Sequence, residues 1–443
     1  GWWMNQENLR RFVGSIGADW TPTHWIRFNA VAGIDQVNRF ELSTIPVPGL
    51  ADGFFAEGLR EQYRTQDREF TTSLNANINR ALPSSINSTA ALGVQYNETT
   101  NDWTYAAGSG LAPGTLQSSE AISVQEFFGE TKLFGVYASQ QFALWARLFL
   151  SAAVRGDQNS AFGDNIGFVV YPAFSASWVV REEPWFPQFD AISMLRLRAA
   201  YGASGQRPGR LSAVRTYDAQ AVTLDEAISS AFVVSNAGNP DLTGEMSREI
   251  EVGFDAGFLN DRLSLELTHY NKTTQDALVA RPLPPSVGGP VSQFFNLGEV
   301  NNRGWEATLN LDALRRTNVD LHFAVNFAAN KNKLVAYGDT TIPPITIGTQ
   351  RHIEGYPLGG YWSQRYHYAD DNNDGIIQPT EVALDSIQDD EEDDLSYFGQ
   401  PFPTHELSFN ADVTLFGMFR LSGQLDHKGG HKLFNWAGRL RCA

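Results

Sequence analysis

One stretch of the chain has both the residue types and the spacing to hold a metal ion. Asp370, Asn372, Asp374, Gly375 and Glu381 satisfy D-x-[DN]-x-[DN]-G-x5-E, the loop pattern of an EF-hand. Calcium takes about six to eight oxygen ligands. Asp370, Asn372 and Asp374 would supply side-chain oxygens, Ile376 its backbone carbonyl, and Gln378 a direct or water-mediated contact. Glu381 would close the shell, while Gly375 permits the sharp turn. Pro379 falls inside the loop and argues against flanking helices. The pattern therefore predicts an isolated calcium loop stiffening a longer excursion of chain, and the alternative is a solvated acidic turn. The neighbouring acidic run from Asp389 to Asp394 reads as a solvated loop.

Catalysis finds little support. The eight histidines are scattered, and none sits in H-E-x-x-H or beside a G-x-S-x-G elbow. His322 lies within a strand-like alternation, on its polar side, and is expected to line a lumen. Gly202-Ala203-Ser204-Gly205 lacks the strand–helix setting of a phosphate loop. The chain is not expected to be an enzyme.

The elements that must position these residues follow from composition and pattern. Charged residues make up 19% of the 443 and aromatics 12%, few charges and many rings for a soluble protein of this length. No apolar run approaches the roughly 18 residues that a spanning helix needs; the longest, Phe142 to Val154, is broken by Arg147. A formal net charge of −17 argues against nucleic acid as a partner, since binding its backbone takes a basic, phosphate-neutralising face. The single cysteine, Cys442, excludes an internal disulfide and thiolate metal sites. Gly1-Trp2-Trp3 has none of the parts of a signal peptide, so an exported chain of this sequence is expected to be a fragment or a processed product.

Apolar and polar residues alternate at period two, the spacing that sends successive side chains to opposite faces of a strand. Phe12, Gly14, Ile16, Ala18 and Trp20 form one face; Arg11, Ser15 and Asp19 form the other. Leu321, Phe323, Val325, Phe327 and Ala329 likewise interleave with His322, Ala324, Asn326, Ala328 and Asn330. About fourteen such strands can be counted, each near the roughly 9–11 residues of a tilted transmembrane strand. Short turns (20–25, 82–86, 258–263, 314–319 and 415–419) contrast with long connections expected to be irregular (35–68, 97–131, 202–244, 271–302 and 330–403). Rings at Trp20, Trp25, Trp178, Tyr201, Tyr270, Trp305 and Phe419 suggest an interfacial girdle. The fold expected is therefore all-β: a transmembrane antiparallel β-barrel, apolar face to outer-membrane lipid and polar face to a lumen.

Particular segments sharpen this reading. Asn239-Pro240-Asp241-Leu242 precedes Glu249 to Phe254 and the turn 258–263, and Tyr270-Asn271-Lys272-Thr273-Thr274-Gln275-Asp276 follows. Next come residues 296–306, with Asn296, Gly298, Val300, Asn302, Gly304, Trp305 and Glu306. Upstream lie Arg155-Gly156-Asp157, Phe162-Gly163, Tyr171 to Trp178 and Leu197 to Gly202. Downstream lie Glu354 to Gly359 and Gly399 to Pro403. In this order, over roughly residues 130 to 436, they resemble the SusC/RagA family of TonB-linked outer-membrane proteins. The resemblance implies a bacterial outer-membrane importer of about 22 strands around a plug. Residues 1–443 would be a partial barrel domain, with 330–403 a long extracellular loop. Neither a plug, nor a TonB-contacting motif, nor final strands are recognised in the sequence, and Arg441-Cys442-Ala443 does not read as a closing strand. The resemblance also implies coupling to TonB, a SusD-like surface lipoprotein as a lid, and an oligosaccharide or peptide as substrate. Substrate contacts are expected from loop aromatics: Trp103, Tyr105, Phe294, Phe295, Tyr361 and Trp362. The rival reading is a passive porin or a structural barrel of an envelope assembly.

Overall fold

The computed structural model describes residues 3–46, 57–112, 117–163, 166–187, 189–224, 227–283, 286, 292–296, 298–337, 345–384, 395–435 and 437–438. The acidic run 389–394, the first two residues and the segment with Cys442 lie outside the described residues.

Fourteen strands form one antiparallel sheet. Its first half is β1 (Met4–Thr23), β2 (Ile26–Ile45), β3 (Leu59–Leu82), β4 (Ile86–Leu111), β5 (Ser118–Leu144), β6 (Leu148–Asn159) and β7 (Val169–Val179). β8 (Ile192–Gln206) follows. A separate hairpin of β9 (Thr216–Leu224) and β10 (Ala227–Asn236) then precedes β11 (Glu245–Phe258) and β12 (Leu263–Gln275). A second small hairpin, β13 (Leu278–Pro282) and β14 (Ser292–Asn296), stands before β15 (Glu299–Arg316) and β16 (Val319–Ala336). Short strands β17 (Ile345–Ile347), β18 (Gln350–His352), β19 (Gly360–Ser363) and β22 (Ser396–Gly399) make a four-stranded sheet. Inside it in sequence, β20 (Tyr366–Tyr368) pairs with β21 (Val382–Leu384); β23 (His405–Leu415) and β24 (Phe419–Gly429) complete the large sheet.

Register turns the alternation into two faces. Trp20, Phe28, Ala76, Leu92 and Ala138 lie in one row across β1 to β5, and Ala18, Ala30, Leu74, Val94 and Val136 in the next. These apolar side chains face outward and are largely exposed, as a lipid-facing wall requires. The opposite face carries ion pairs: Arg11–Asp35 at 2.5 Å, Arg27–Asp19 at 2.7 Å, and Arg196 and Arg198 at 2.5 and 3.0 Å from Asp255. Asp255 is 1% exposed, so its charge depends on those two guanidinium groups. His322 meets Asp312 at 2.9 Å on the same inner face.

Two sequence expectations are corrected. Residues 35–45 and 59–68 continue β2 and β3 in unbroken register, and 97–111 pairs with 118–133 as the upper part of β4 and β5. These connections are tall hairpins rather than irregular loops, because extended backbone satisfies its own N–H and C=O groups by pairing. The strands therefore run up to 27 residues, well past the membrane-spanning length. Second, Tyr270 pairs with Gly304 and so points to the face opposite His269 and Trp305, into the lumen rather than the girdle.

The segments that carry the resemblance act as clasps above the sheet. Leu242 is 0% exposed, its carbonyl accepts from the Gly163 amide at 2.7 Å, and Asn239 Nδ2 donates to the Phe294 carbonyl at 2.9 Å. Gly163 has no room for a side chain, since a Cβ would stand 2.0 Å from the Pro240 carbonyl oxygen. The 354–359 turn docks on the end of β16: the Leu334 amide donates to the Tyr356 carbonyl at 2.9 Å, and the Leu358 amide to Asn332 Oδ1 at 2.8 Å. That turn covers a small core of Val300, Leu334 and Tyr337.

Candidate functional site

Two of the six aromatic side chains expected to touch substrate come together with partners the sequence did not nominate. Trp103 and Tyr105 sit two residues apart on β4, on the inner face, not in a loop. Tyr105 pairs with Tyr63 of β3, ring centroids 4.4 Å apart. Trp103 pairs with Phe127 of β5 and stacks on it at 5.6 Å. At about 3.3 Å per residue and a tilt of about 40°, Tyr105 stands about 45 Å above the short turn, beyond an apolar band about 25 Å tall. The rings are thus held on the wall of the extracellular vestibule.

Polar groups frame this wall. The Tyr105 hydroxyl donates to Glu61 at 2.8 Å, and this bond, with burial, pushes its pKa up to about 12. Asn101 Nδ2 donates to Asp67 at 2.5 Å one step below. The Arg210 guanidinium, from the segment after β8, lies 4.8 Å from the Phe127 ring centre. It occupies the space over Gly129, where a Cβ would fall 2.1 Å from its Cζ. Flat faces edged by carboxylates, amides and a guanidinium are suited to a polyhydroxylated or amide-bearing chain. Tyr63, Phe127 and Arg210 were not anticipated. The signal for the first two was cross-strand register, which a single strand's alternation does not reveal.

The other expected residues lie elsewhere in the fold. Phe294 and Phe295 are successive residues of β14 in a small hairpin; successive residues of a strand face opposite ways. Tyr361 and Trp362 belong to β19, where Tyr361 stacks on Phe434 at 6.4 Å and Trp362 packs with Tyr356 and Tyr397 at 4.8 and 5.4 Å. A cavity of about 610 Å³ opens on the inner face where β8, β11, β12, β15 and β16 meet the 352–358 turn. Lys272, Glu245, Asn302, Tyr337 and His352 are among its lining. Burial holds the His352 pKa below its ordinary range, and its Nδ1 accepts from the Gly359 amide at 3.0 Å.

The calcium-pattern loop folds around its own backbone. The Gly375 amide donates to Asp370 Oδ2 at 2.8 Å, and the Asp374 amide to Asp370 Oδ1 at 3.1 Å and Asn372 Oδ1 at 2.9 Å. Glu381 reaches back to accept from the Gln378 amide at 2.9 Å and the Asn372 amide at 3.4 Å. Asp374 Oδ1 accepts from the Ile376 amide at 2.8 Å. The loop thus brings its first, third and twelfth positions near one another, with Gly375 at φ +79° as the sharp turn requires. Its carboxylates meet amides rather than each other. Among the described residues no three acidic, histidine or cysteine side chains converge as a metal-holding group.

Comparison with known proteins places the architecture. Over 97% of this chain and 48% of that one, it superimposes on the structure of the RagAB peptide transporter with a TM-score of 0.83, at 20% identity. It is 24% identical to the TonB-dependent receptor P26 of Formosa agariphila over 93% of this chain and 44% of that protein. It is 22% identical to the TonB-dependent receptor SusC of Bacteroides thetaiotaomicron over 55% of this chain and 26% of SusC. The chain thus spans about half the length of the RagAB transporter chain and of the receptor P26. A family model described as TonB dependent receptor-like, beta-barrel, matches residues 3–439. With a fourteen-stranded sheet that is apolar on one face and ion-paired on the other, the chain belongs to that outer-membrane receptor family.

Proposed function

We propose that the full protein imports a nutrient, an oligosaccharide or a peptide, across the outer membrane, coupled to TonB and capped by a SusD-like surface lipoprotein. The observation that carries this is the Tyr63–Tyr105 and Trp103–Phe127 wall, displayed inward on hairpins that rise above the membrane. Rings stack on the apolar faces of sugars or on peptide side chains, while Glu61, Asp67 and Asn101 bond to hydroxyls or amides. Phe294 and Phe295 would contribute from the β13–β14 hairpin, and Tyr361 and Trp362 from the small four-stranded sheet. The coupling step belongs to a plug, which in this proposal lies in the part of the full protein beyond this chain. Calcium is proposed as a stabiliser of the 370–381 loop, supported by ligand spacing and by the return of Glu381 to the start of the loop.

The test is uptake of fluorescent oligosaccharides and peptides by cells producing the full-length protein, against Trp103→Ala/Phe127→Ala. Loss of two aromatic contacts should cut uptake of the true class about tenfold, at about 0.5–1.5 kcal/mol per ring pair or more with burial. Removing TonB should abolish it. Uptake indifferent to TonB, with steady conductance in planar bilayers, would instead support the passive porin.

A further inference from the structure

The outward face carries a feature that substrate import does not use. Going up from the membrane, an outward aromatic on each of β1, β3 and β5 (Phe12, Phe70 and Phe134) is followed at the next outward position by a cation: Arg10, Arg68 and Lys132. At about 3.3 Å per residue and a tilt of about 40°, all three cations stand about 30–35 Å above their short turns, just past the apolar band. Two of these cations are already paired on the wall. Arg68 meets Glu98 at 3.4 Å, and Lys132 meets Glu130 at 2.8 Å.

Arg10 is different. It lies in a row with Asn38, Gln66 and Asp102, while Asn8, Phe40, Arg64 and Thr104 form the next row up. These side chains line an open cleft of about 530 Å³ on the outside of the barrel. Arg64 stacks over Phe40, 5.5 Å from the ring centre, and among the described residues neither Arg10 nor Arg64 forms an ion pair. The cleft therefore offers two guanidinium groups, four neutral hydrogen-bonding side chains (Asn8, Asn38, Gln66 and Thr104) and one carboxylate, Asp102. Phe12 lies in the row directly below it, with Gln36 and Arg68, and Ile34 and Phe70 lie one row further down. Guanidinium groups bind phosphate by paired N–H donors, and amides and hydroxyls suit sugar hydroxyls. Basic side chains at a bilayer surface draw anionic headgroups.

We propose that this cleft is a binding site for the phosphorylated sugar headgroup of an outer-leaflet glycolipid. Arg10 and Arg64 grip the phosphate, Asn8, Asn38, Gln66 and Thr104 bond to the sugar, and the acyl chains run down over Phe12, Ile34 and Phe70. The site lies on the face opposite the aromatic wall and does not depend on the transport reading.

Native mass spectrometry of the detergent-purified full-length protein tests this with phosphorylated lipid A, its dephosphorylated form and phosphatidylglycerol as probes. Saturable binding of phosphorylated lipid A, at least tenfold tighter than either control, is expected. Arg10→Gln/Arg64→Gln should weaken it about tenfold, while leaving heat-modifiable gel migration and Trp103-dependent uptake unchanged. Equal binding of all three lipids, or wild-type affinity in the double variant, overturns the proposal. Should the double variant fail to fold, Asn38→Ala/Gln66→Ala provides the second variant, and undiminished affinity there overturns the sugar contacts.

Discussion

At the scale of single residues, the informative groups are those held by a close polar or charged partner. Tyr105 gives its proton to a hydrogen bond with Glu61, so its pKa is raised from 10.0 to about 12. A raised pKa means the stabilising bond is fully present below the ordinary tyrosine value and is lost as pH climbs through about 12. Alkaline absorbance titration should show Tyr105 among the late tyrosinates, and Glu61→Gln should remove one tyrosinate from that late step; an unchanged late step would refute the assignment. Asp255 is an inner-wall carboxylate almost without solvent, between Arg196 and Arg198. Asp255→Ala leaves two like charges side by side. Because both arginines stay a third to a half exposed, water screens them, and the loss should be about 1–3 kcal/mol. A thermal melt of the folded barrel that is unchanged would show that the arginines find other partners.

At the scale of elements, hairpins depend on close approach across strands. Gly93 of β4 faces Tyr137 of β5, and a Cβ at Gly93 would fall 2.3 Å from that ring. The ring instead lies flat across the glycine, with its hydroxyl donating to Asn75 at 2.8 Å. Gly93→Val should destabilise the sheet by about 1–3 kcal/mol through overpacking, and Tyr137→Ala should restore most of the loss in the double variant. A purely additive double-mutant cycle would rule out the clash. The 370–381 loop is the other element with its own test. Calorimetric titration should find one calcium site, with affinity of about 10⁻⁴–10⁻³ M as in extracellular modules. Asp374→Ala/Glu381→Gln should abolish it. An absence of heat in the unmodified protein would mean a solvated acidic turn.

At the scale of the whole molecule, one alternation organises three environments: lipid below, vestibule above and lumen within. Uptake reports on this scale, since Trp103 and Phe127 act only if the tall hairpins present them to the same space as the substrate's path. Much of this was legible in the residues themselves. Period-two alternation, short turns against long connections, and the absence of a long apolar run determined an antiparallel sheet of about fourteen strands, read as part of a barrel wall. The ordered segments from Arg155 to Pro403 determined its kinship, and the D-x-N-x-D-G spacing drew the loop at 370–381. Hidden was everything that depends on pairing between distant strands. Polar segments such as 97–111 look like loops in isolation, because above the membrane no apolar face marks them as strands; only a partner strand satisfying their amides keeps them extended. The aromatic wall, the Arg10–Arg64 cleft and the inward turn of Tyr270 were equally invisible, since a strand's sequence sets which side chains share a face but register alone sets which residues meet across it.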